Sequence, residues 1–261
     1  RRRSRKRASL PSLNLPPLGR SVAGAAAALF TGATAALVPF YPQGWAWGLA
    51  ALAALITALR PRLGLAFALG AAVLPLGNVS LGLALAYALA AIAWIVATWR
   101  RPEEGLLAAL GPLLAPIGAV GLLPLALLPV RGALWRGIHA ALAVLVGGIV
   151  AGLVGGTLPL SERGVPDLGL AGSEDAGAVM TAFLRALTSR PELIGAALVF
   201  GFLSAVLPSA SRRGLWPVAG LGAASLAVLL LPSTALSAVP VVAGIWLCCA
   251  VFAVRDRRTA R

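Results

Sequence analysis

Apolar residues fall into blocks of 14 to 26 along this chain, separated by short clusters of arginine. A helix needs ~20 apolar residues to cross a bilayer, so the pattern predicts an all-α, polytopic membrane protein. A transmembrane β-barrel would alternate in ~10-residue segments instead, and no such alternation occurs. The blocks predict spans at 21–38, 44–59, 63–77, 79–98, 137–158, 192–207, 215–231 and 237–254. The uncharged connection after the first span carries Phe40, Tyr41, Trp45 and Trp47. Amphipathic aromatics gather at headgroup depth, which marks this as the outer interface.

The stretch 105–130 breaks the pattern. It has no charge, yet it contains Pro112, Pro116, Pro124 and Pro129. As one helix its 26 residues would be ~39 Å long and would need ~40° of tilt to fit a ~30 Å core. Four prolines oppose a single straight helix. Residues 60–81 and 101–122 agree at 11 of 22 positions, including Arg60 with Arg101, Pro75 with Pro116, and Gly77 with Gly118. This reads as an internal repeat. Pro75, Gly77 and Asn78 are expected to end one helix and turn the chain back. By analogy Pro112, Pro116 and Gly118 would turn the second copy into a hairpin.

Charge supports the hairpin. If 105–130 enters and returns, Arg131, Arg136, Arg212, Arg213, Arg255, Arg257, Arg258 and Arg261 are cytoplasmic, with Arg163, Arg185 and Arg190 outside. A single crossing would reverse that bias, against the positive-inside rule. The expected topology is eight full crossings plus a Pro/Gly-broken hairpin. That makes about ten helical segments, with both termini cytoplasmic.

Residues 159–191 form the only long polar segment, an expected extracytoplasmic connector. Ser173 is positioned to cap a helix there. Val179, Met180, Phe183, Leu184 and Leu187 share one face at helical spacing, as on a helix lying along the membrane surface or covering the bundle.

The composition is 59% hydrophobic and 11% charged, with mean hydropathy +0.91. A water-soluble domain of this size could not hide so much apolar surface. The net charge of +14 does not point to nucleic acid, because the arginines flank spans rather than forming one soluble surface. Residues 1–20 form a basic juxtamembrane segment. There Arg1, Arg2, Arg3, Arg5, Lys6 and Arg7 are expected to meet anionic lipid, at ~1 kcal/mol each. Residues 21–254 make the transmembrane domain and 255–261 a basic tail. The bacterial plasma membrane is the expected location.

Chemistry is sparse. Away from the span ends, where Glu192 and His139 lie, no predicted span contains an acid or base, which argues against a proton-coupled pump or a voltage sensor. His139 is the only histidine and reads as interfacial. Cys248 and Cys249 read as packing residues, so no metal-ligand set is present. No phosphate loop or protein-kinase motif occurs. Neither a catalytic residue nor a cofactor site is expected in this segment.

The succession LVPFYPQGW, RPRLGLAFALGAAVLPLGNVSLGLALAY, GLLAALGPLLAPIGAVGLLPL and LGLAGSEDA resembles the multi-pass C-terminal membrane region of serine/threonine protein kinases of high-GC Gram-positive bacteria. The resemblance covers residues 20–254. It implies a non-catalytic anchoring and sensing region, with ATP and Mg²⁺ used only by a kinase domain outside these residues. Two other classes stay open. One is a transporter or binding component for a small neutral solute, with backbone groups freed at Pro75 and Pro116 as candidate ligands. The other is a membrane scaffold. Sequencing the gene upstream of Arg1 should reveal an in-frame His-Arg-Asp and Asp-Phe-Gly kinase domain; a start codon at Arg1 would refute the kinase reading.

Overall fold

A computed structural model describes residues 18–37, 40–153, 173–230 and 239–259. The basic cluster Arg1–Lys6–Arg7 and residues 159–172 of the connector lie outside the described residues. Those that are described are all-α. Four helical stretches are long and apolar enough to cross a membrane: Pro61–Val79, Leu81–Thr98, Ala133–Val150 and Pro191–Ser211. The helical pieces are more numerous than the ten expected, because two of the apolar runs are subdivided.

Helix α1 (Leu18–Leu37) packs along α2 (Trp45–Leu59) through small side chains. Ala23, Ala27 and Ala53 are fully buried there. Alanine at such a seam lets two backbones approach closely. The chain turns at Arg60 into α3 (Pro61–Ala71) and continues as α4 (Val73–Val79).

The expected turn at Pro75–Gly77–Asn78 is not there. The helix runs through all three residues, and the chain reverses at Ser80. Pro75 lacks an N–H, so the carbonyl four residues earlier, at Ala71, loses its helical partner. The Tyr41 hydroxyl donates to that carbonyl at 2.9 Å. The Tyr87 hydroxyl donates to the Leu69 carbonyl at 3.0 Å. The chain has two tyrosines, and both supply donors at this one kink. Partial burial raises the Tyr41 phenol above its ordinary pKa.

Ser80 caps α5 (Leu81–Thr98) by accepting from the Leu83 N–H at 3.1 Å. A stripe of α5 stays exposed: Leu85, Leu89, Ile92 and Val96 are 47%, 67%, 58% and 70% accessible. A continuous apolar stripe of that kind is a lipid-facing or partner-facing surface, not a water-facing one.

The repeat extends to local geometry. Thr57 and Thr98, also 41 residues apart, each bond back to the carbonyl four residues earlier at 2.7 Å. Arg60 and Arg101 share an extended φ of −141°. Pro61 and Pro102 then open the next helix, and Gly64 and Gly105 each lie against the preceding threonine. Beyond that the copies diverge. α3 has 11 residues, whereas α6 (Pro102–Leu107) has 6.

The run 105–130 is not one helix. After α6 come α7 (Leu110–Leu114), a turn at Ala115–Gly118, a 3-10 turn (Ala119–Leu122) and α8 (Leu123–Ala126). Gly118 adopts a left-handed φ of +69°, which glycine accepts without steric cost. The two ends of the run meet, since Arg101 Nη1 donates to the Arg131 carbonyl at 3.4 Å. Its tip reaches Pro240 at the start of the last helix.

This broken run is the keel of the bundle. Leu106, Leu107, Leu123, Leu127 and Val130 are at most 1% exposed. Leu107, Leu127 and Val130 join Ala26 of α1 to Ala140 of α9 (Ala133–Leu153). A Cβ on Gly111 would strike the backbone carbonyl of Ala143 on α9. One on Gly147 would lie 2.7 Å from the Gly111 carbonyl. Gly147 thus makes the close helix contact that a small residue permits.

After α9 come α10 (Ala176–Thr188), α11 (Pro191–Ser211), α12 (Leu215–Leu230) and α13 (Val239–Thr259). Gly137 and Gly201 bring α9 and α11 together reciprocally, each added Cβ lying 3.0–3.1 Å from the other's carbonyl. Gly121 meets α13, where its Cβ would sit 2.9 Å from the Gly244 Cα. The largest core cluster lies among α8, α9, α11, α12 and α13 and includes Phe200, Leu203, Leu207 and Ile245.

These contacts set a stability test. Gly111→Val should lower the thermal midpoint in detergent, with a loss on the order of 1–3 kcal/mol or more, because the clash is with backbone. Gly195→Ala, whose Cβ would meet nothing within 4 Å, should leave the midpoint unchanged or slightly raised. Equal melting of Gly111→Val and wild type would refute the close packing.

Candidate functional site

Arg20, Arg62, Arg101, Arg131, Arg136 and Arg212 converge at one end of the bundle. Arg20 pairs with Glu103 at 3.4 Å. Arg62 Nε donates to the Trp99 carbonyl at 3.3 Å, and its guanidinium lies 5.2 Å from the Trp99 ring centre. Arg101 bonds the Arg131 carbonyl, Arg136 Nη2 donates to the Val130 carbonyl at 2.9 Å, and Arg212 acts electrostatically on Arg136. One basic belt therefore links α1, α3, the α5–α6 corner and α9, with the end of α11 beside it.

Inside the belt lies a cleft of ≈ 270 Å³. Ala97, Thr98, Arg100, Arg101, Glu104, Trp135 and His139 line it. The Arg-Pro corner after α5 supplies the first four, and its Pro102 opens α6 and places Glu104 in the first helical turn. Glu104 is largely buried, with its side chain 12% exposed, and pairs with Arg101 at 3.6 Å. Trp94 Nε1 donates to the Gly105 carbonyl at 3.0 Å and holds α6 against α5.

His139, expected from sequence to be interfacial, is enclosed by protein. It is 1% exposed, covered by the Trp94 and Trp135 rings with centres 5.0 and 6.0 Å away. Its Nδ1 lies 2.8 Å from the Trp135 carbonyl. A carbonyl can only accept, so Nδ1 carries the proton. Nε2 has no partner at hydrogen-bond geometry, although the Glu104 carbonyl is near enough to interact with the ring. Among the described residues no group of three or more His, Cys, Asp and Glu side chains comes together.

The helix breaks singled out in the sequence do not share a site. Pro75 is buried within α4, while Gly77 and Asn78 are exposed. Pro112 sits in α7, and Pro116 and Gly118 in the turn after it. α4 packs on α3 and α5, whereas α7 packs on α1 and α9.

At the opposite end, α10 covers α4 and α5. Asp175, not Ser173, is its cap and accepts from the Gly177 N–H at 2.8 Å. Ser173 is occupied differently, since its carbonyl accepts from Gly82 N–H at 2.9 Å and Ser80 Oγ at 2.7 Å. The predicted apolar face divides. Val179 is fully buried and Phe183 partly so, both against Leu83 and Ala86. Leu187 packs on the main core, and Met180 and Leu184 are 46% and 56% exposed. Docking onto α5 uses the i, i+4 pair 179 and 183 and turns the neighbouring positions outward.

Sequence reasoning missed Thr98, Arg100, Glu104 and Trp135 as a group. The signal was the repeated Thr-x-x-Arg-Pro-x-x-Gly, read there as punctuation. Protein-family models, curated proteins and solved structures offer no match to this chain.

Ser80→Ala should remove both the α5 cap and the tie to Ser173. The expected cost is about 1–2 kcal/mol, with faster proteolysis across 173–188. Asn78→Ala, at an exposed neighbouring position, should cleave like wild type. Identical digestion of the Ser80 variant would show that the tie does not hold this cover down.

Proposed function

We propose that this chain is a multi-pass membrane module that anchors a signalling protein and presents α10 outside the membrane as a sensing cover. The supporting observation is the separation of its ends: the arginine belt lies at one, and the aromatic and Ser80–Asp175 surfaces lie at the other. Positive charge concentrates on the cytoplasmic side of membrane proteins. The meeting of Arg101 with Arg131 favours a hairpin entering and leaving at the cytoplasmic face over a single crossing. Eight crossings, that hairpin and cytoplasmic termini fit the same arrangement, in a bacterial plasma membrane with anionic lipid at the basic N-terminal segment. The serine/threonine kinase assignment rests on the resemblance of the apolar repeats and of the segment before α10.

Transport of a small neutral solute is the second reading. It has less support, because the two helix breaks have separate packing partners. A membrane scaffold is the third, and it differs from the first only in lacking a signalling domain.

Labelling with a membrane-impermeant maleimide tests the topology after Cys248 and Cys249 are replaced by alanine. Glu174→Cys should react in intact cells, and Arg131→Cys only after permeabilisation. The reverse pattern would overturn the hairpin. Solute uptake by proteoliposomes holding this chain alone would overturn the anchoring role in favour of transport.

A further inference from the structure

The cleft beside His139 has features that the anchoring role does not use. Arg101 is shared between Glu104 and the Arg131 carbonyl. Arg100 is exposed at the rim and makes no hydrogen bond or ion pair among the described residues. Deeper in, His139 lines the cleft, and its buried Nε2 has no partner at hydrogen-bond geometry, with the Glu104 carbonyl nearby. With Nδ1 donating to Trp135, neutral His139 presents Nε2 as a lone pair. The cleft thus offers a free cation at its mouth and a hydrogen-bond acceptor within. Glu104 is the one acid lining it, and its pair with Arg101 offsets its charge. The volume of ≈ 270 Å³ lies just below the ~300–1,000 Å³ of pockets for drug-sized ligands, which suits a small headgroup rather than a nucleotide.

The surroundings indicate where such a ligand would come from. Trp99 and Trp135 are 49% and 41% exposed beside the cleft, as aromatics at headgroup depth are. Val96, next to the lining residue Ala97, begins the apolar stripe that continues along α5 through Ile92, Leu89 and Leu85. Basic pockets between helices at the cytoplasmic face take anionic headgroups.

We propose that this cleft binds a phosphate diester bearing a neighbouring hydroxyl, the chemistry of a glycerol-headed anionic phospholipid. Arg100 holds the phosphate, His139 Nε2 accepts from the hydroxyl, and the acyl chains lie along the α5 stripe. Soluble glycerol phosphate presents similar chemistry without the chains. The inference rests on the membrane reading above.

The full chain, delipidated in neutral detergent, is titrated with short-chain phosphatidylglycerol, phosphatidylcholine, phosphatidic acid and glycerol 3-phosphate. Phosphatidylglycerol should bind at least about tenfold more tightly than phosphatidylcholine, and Arg100→Gln should remove about tenfold. Arg213→Gln, exposed and outside the cleft, should bind like wild type. His139→Asn keeps a donor at the Nδ1 position and removes Nε2. It should erase the preference for phosphatidylglycerol over phosphatidic acid while leaving the Arg100 effect. If that variant does not fold, the exposed Arg100 substitution still decides. Displacement of the lipid by glycerol 3-phosphate at equal concentration would support the site and assign it to a soluble ligand. Equal binding of phosphatidylglycerol and phosphatidylcholine would overturn the proposal, as would equal losses in the Arg100 and Arg213 variants. Failure of the chain to enter vesicles would overturn the membrane reading instead.

Discussion

Direct backbone contact between the broken run 105–130 and the helices around it is the constraint on which the rest of the bundle depends. Gly111 touches α9 and Gly121 touches α13 where no side chain fits between. Non-helical backbone at membrane depth is tolerated only when protein encloses it. Here Leu106, Leu123 and Leu127 are at 0% exposure, while the turn leaves Pro116 and Ile117 exposed. The same run also couples the two halves of the molecule. Its first arm packs into the cluster of α1, α2, α3 and α5, and its second into the cluster of α9, α11 and α13.

Where helices kink or begin, the loss of backbone bonds is met by particular side-chain polar atoms, donors in Tyr41, Tyr87 and Trp94 and an acceptor in Ser80. Tyr41 and Tyr87 serve the carbonyls around Ala72, Ser80 serves the start of α5, and Trp94 serves the carbonyl of Gly105. Each is a polar atom on a largely apolar side chain or a short hydroxyl, so it reaches the backbone without bringing a charge into the bundle. The charges stay at the ends. That division leaves the interior as a fixed frame and places the chemistry, such as it is, at the arginine belt and under α10.

The sequence patterns that were legible depend on composition over many residues. The apolar blocks, the failure of 105–130 to form one helix, and the turn at Pro116–Gly118 all follow from them. The first Pro-x-Gly was misleading because its outcome depends on residues far away. Tyr41 and Tyr87 supply hydroxyls near Pro75, and the helix continues; at an offset of 41 the equivalent positions are Gly82 and Leu128. The cap of α10 was misplaced by two residues because Ser173 is drawn to Ser80 and Gly82, a contact across 93 residues. Met180 and Leu184 share a helical face with Val179, yet α5 is too narrow to cover the whole stripe. The cleft was invisible for the same reason. Glu104 and His139 are 35 positions apart and look unrelated until the fold brings them to one cleft.

The packing of Gly121 also orders events during synthesis. The 105–130 run leaves the ribosome well before α13, whose Val241 and Gly244 are its contact surface. For the interval in which more than a hundred residues are added, the second arm can pack on α9 and α11, but Gly121 still lacks its α13 contact. The last helix therefore acts as a latch, and the bundle is not closed until the chain is almost finished.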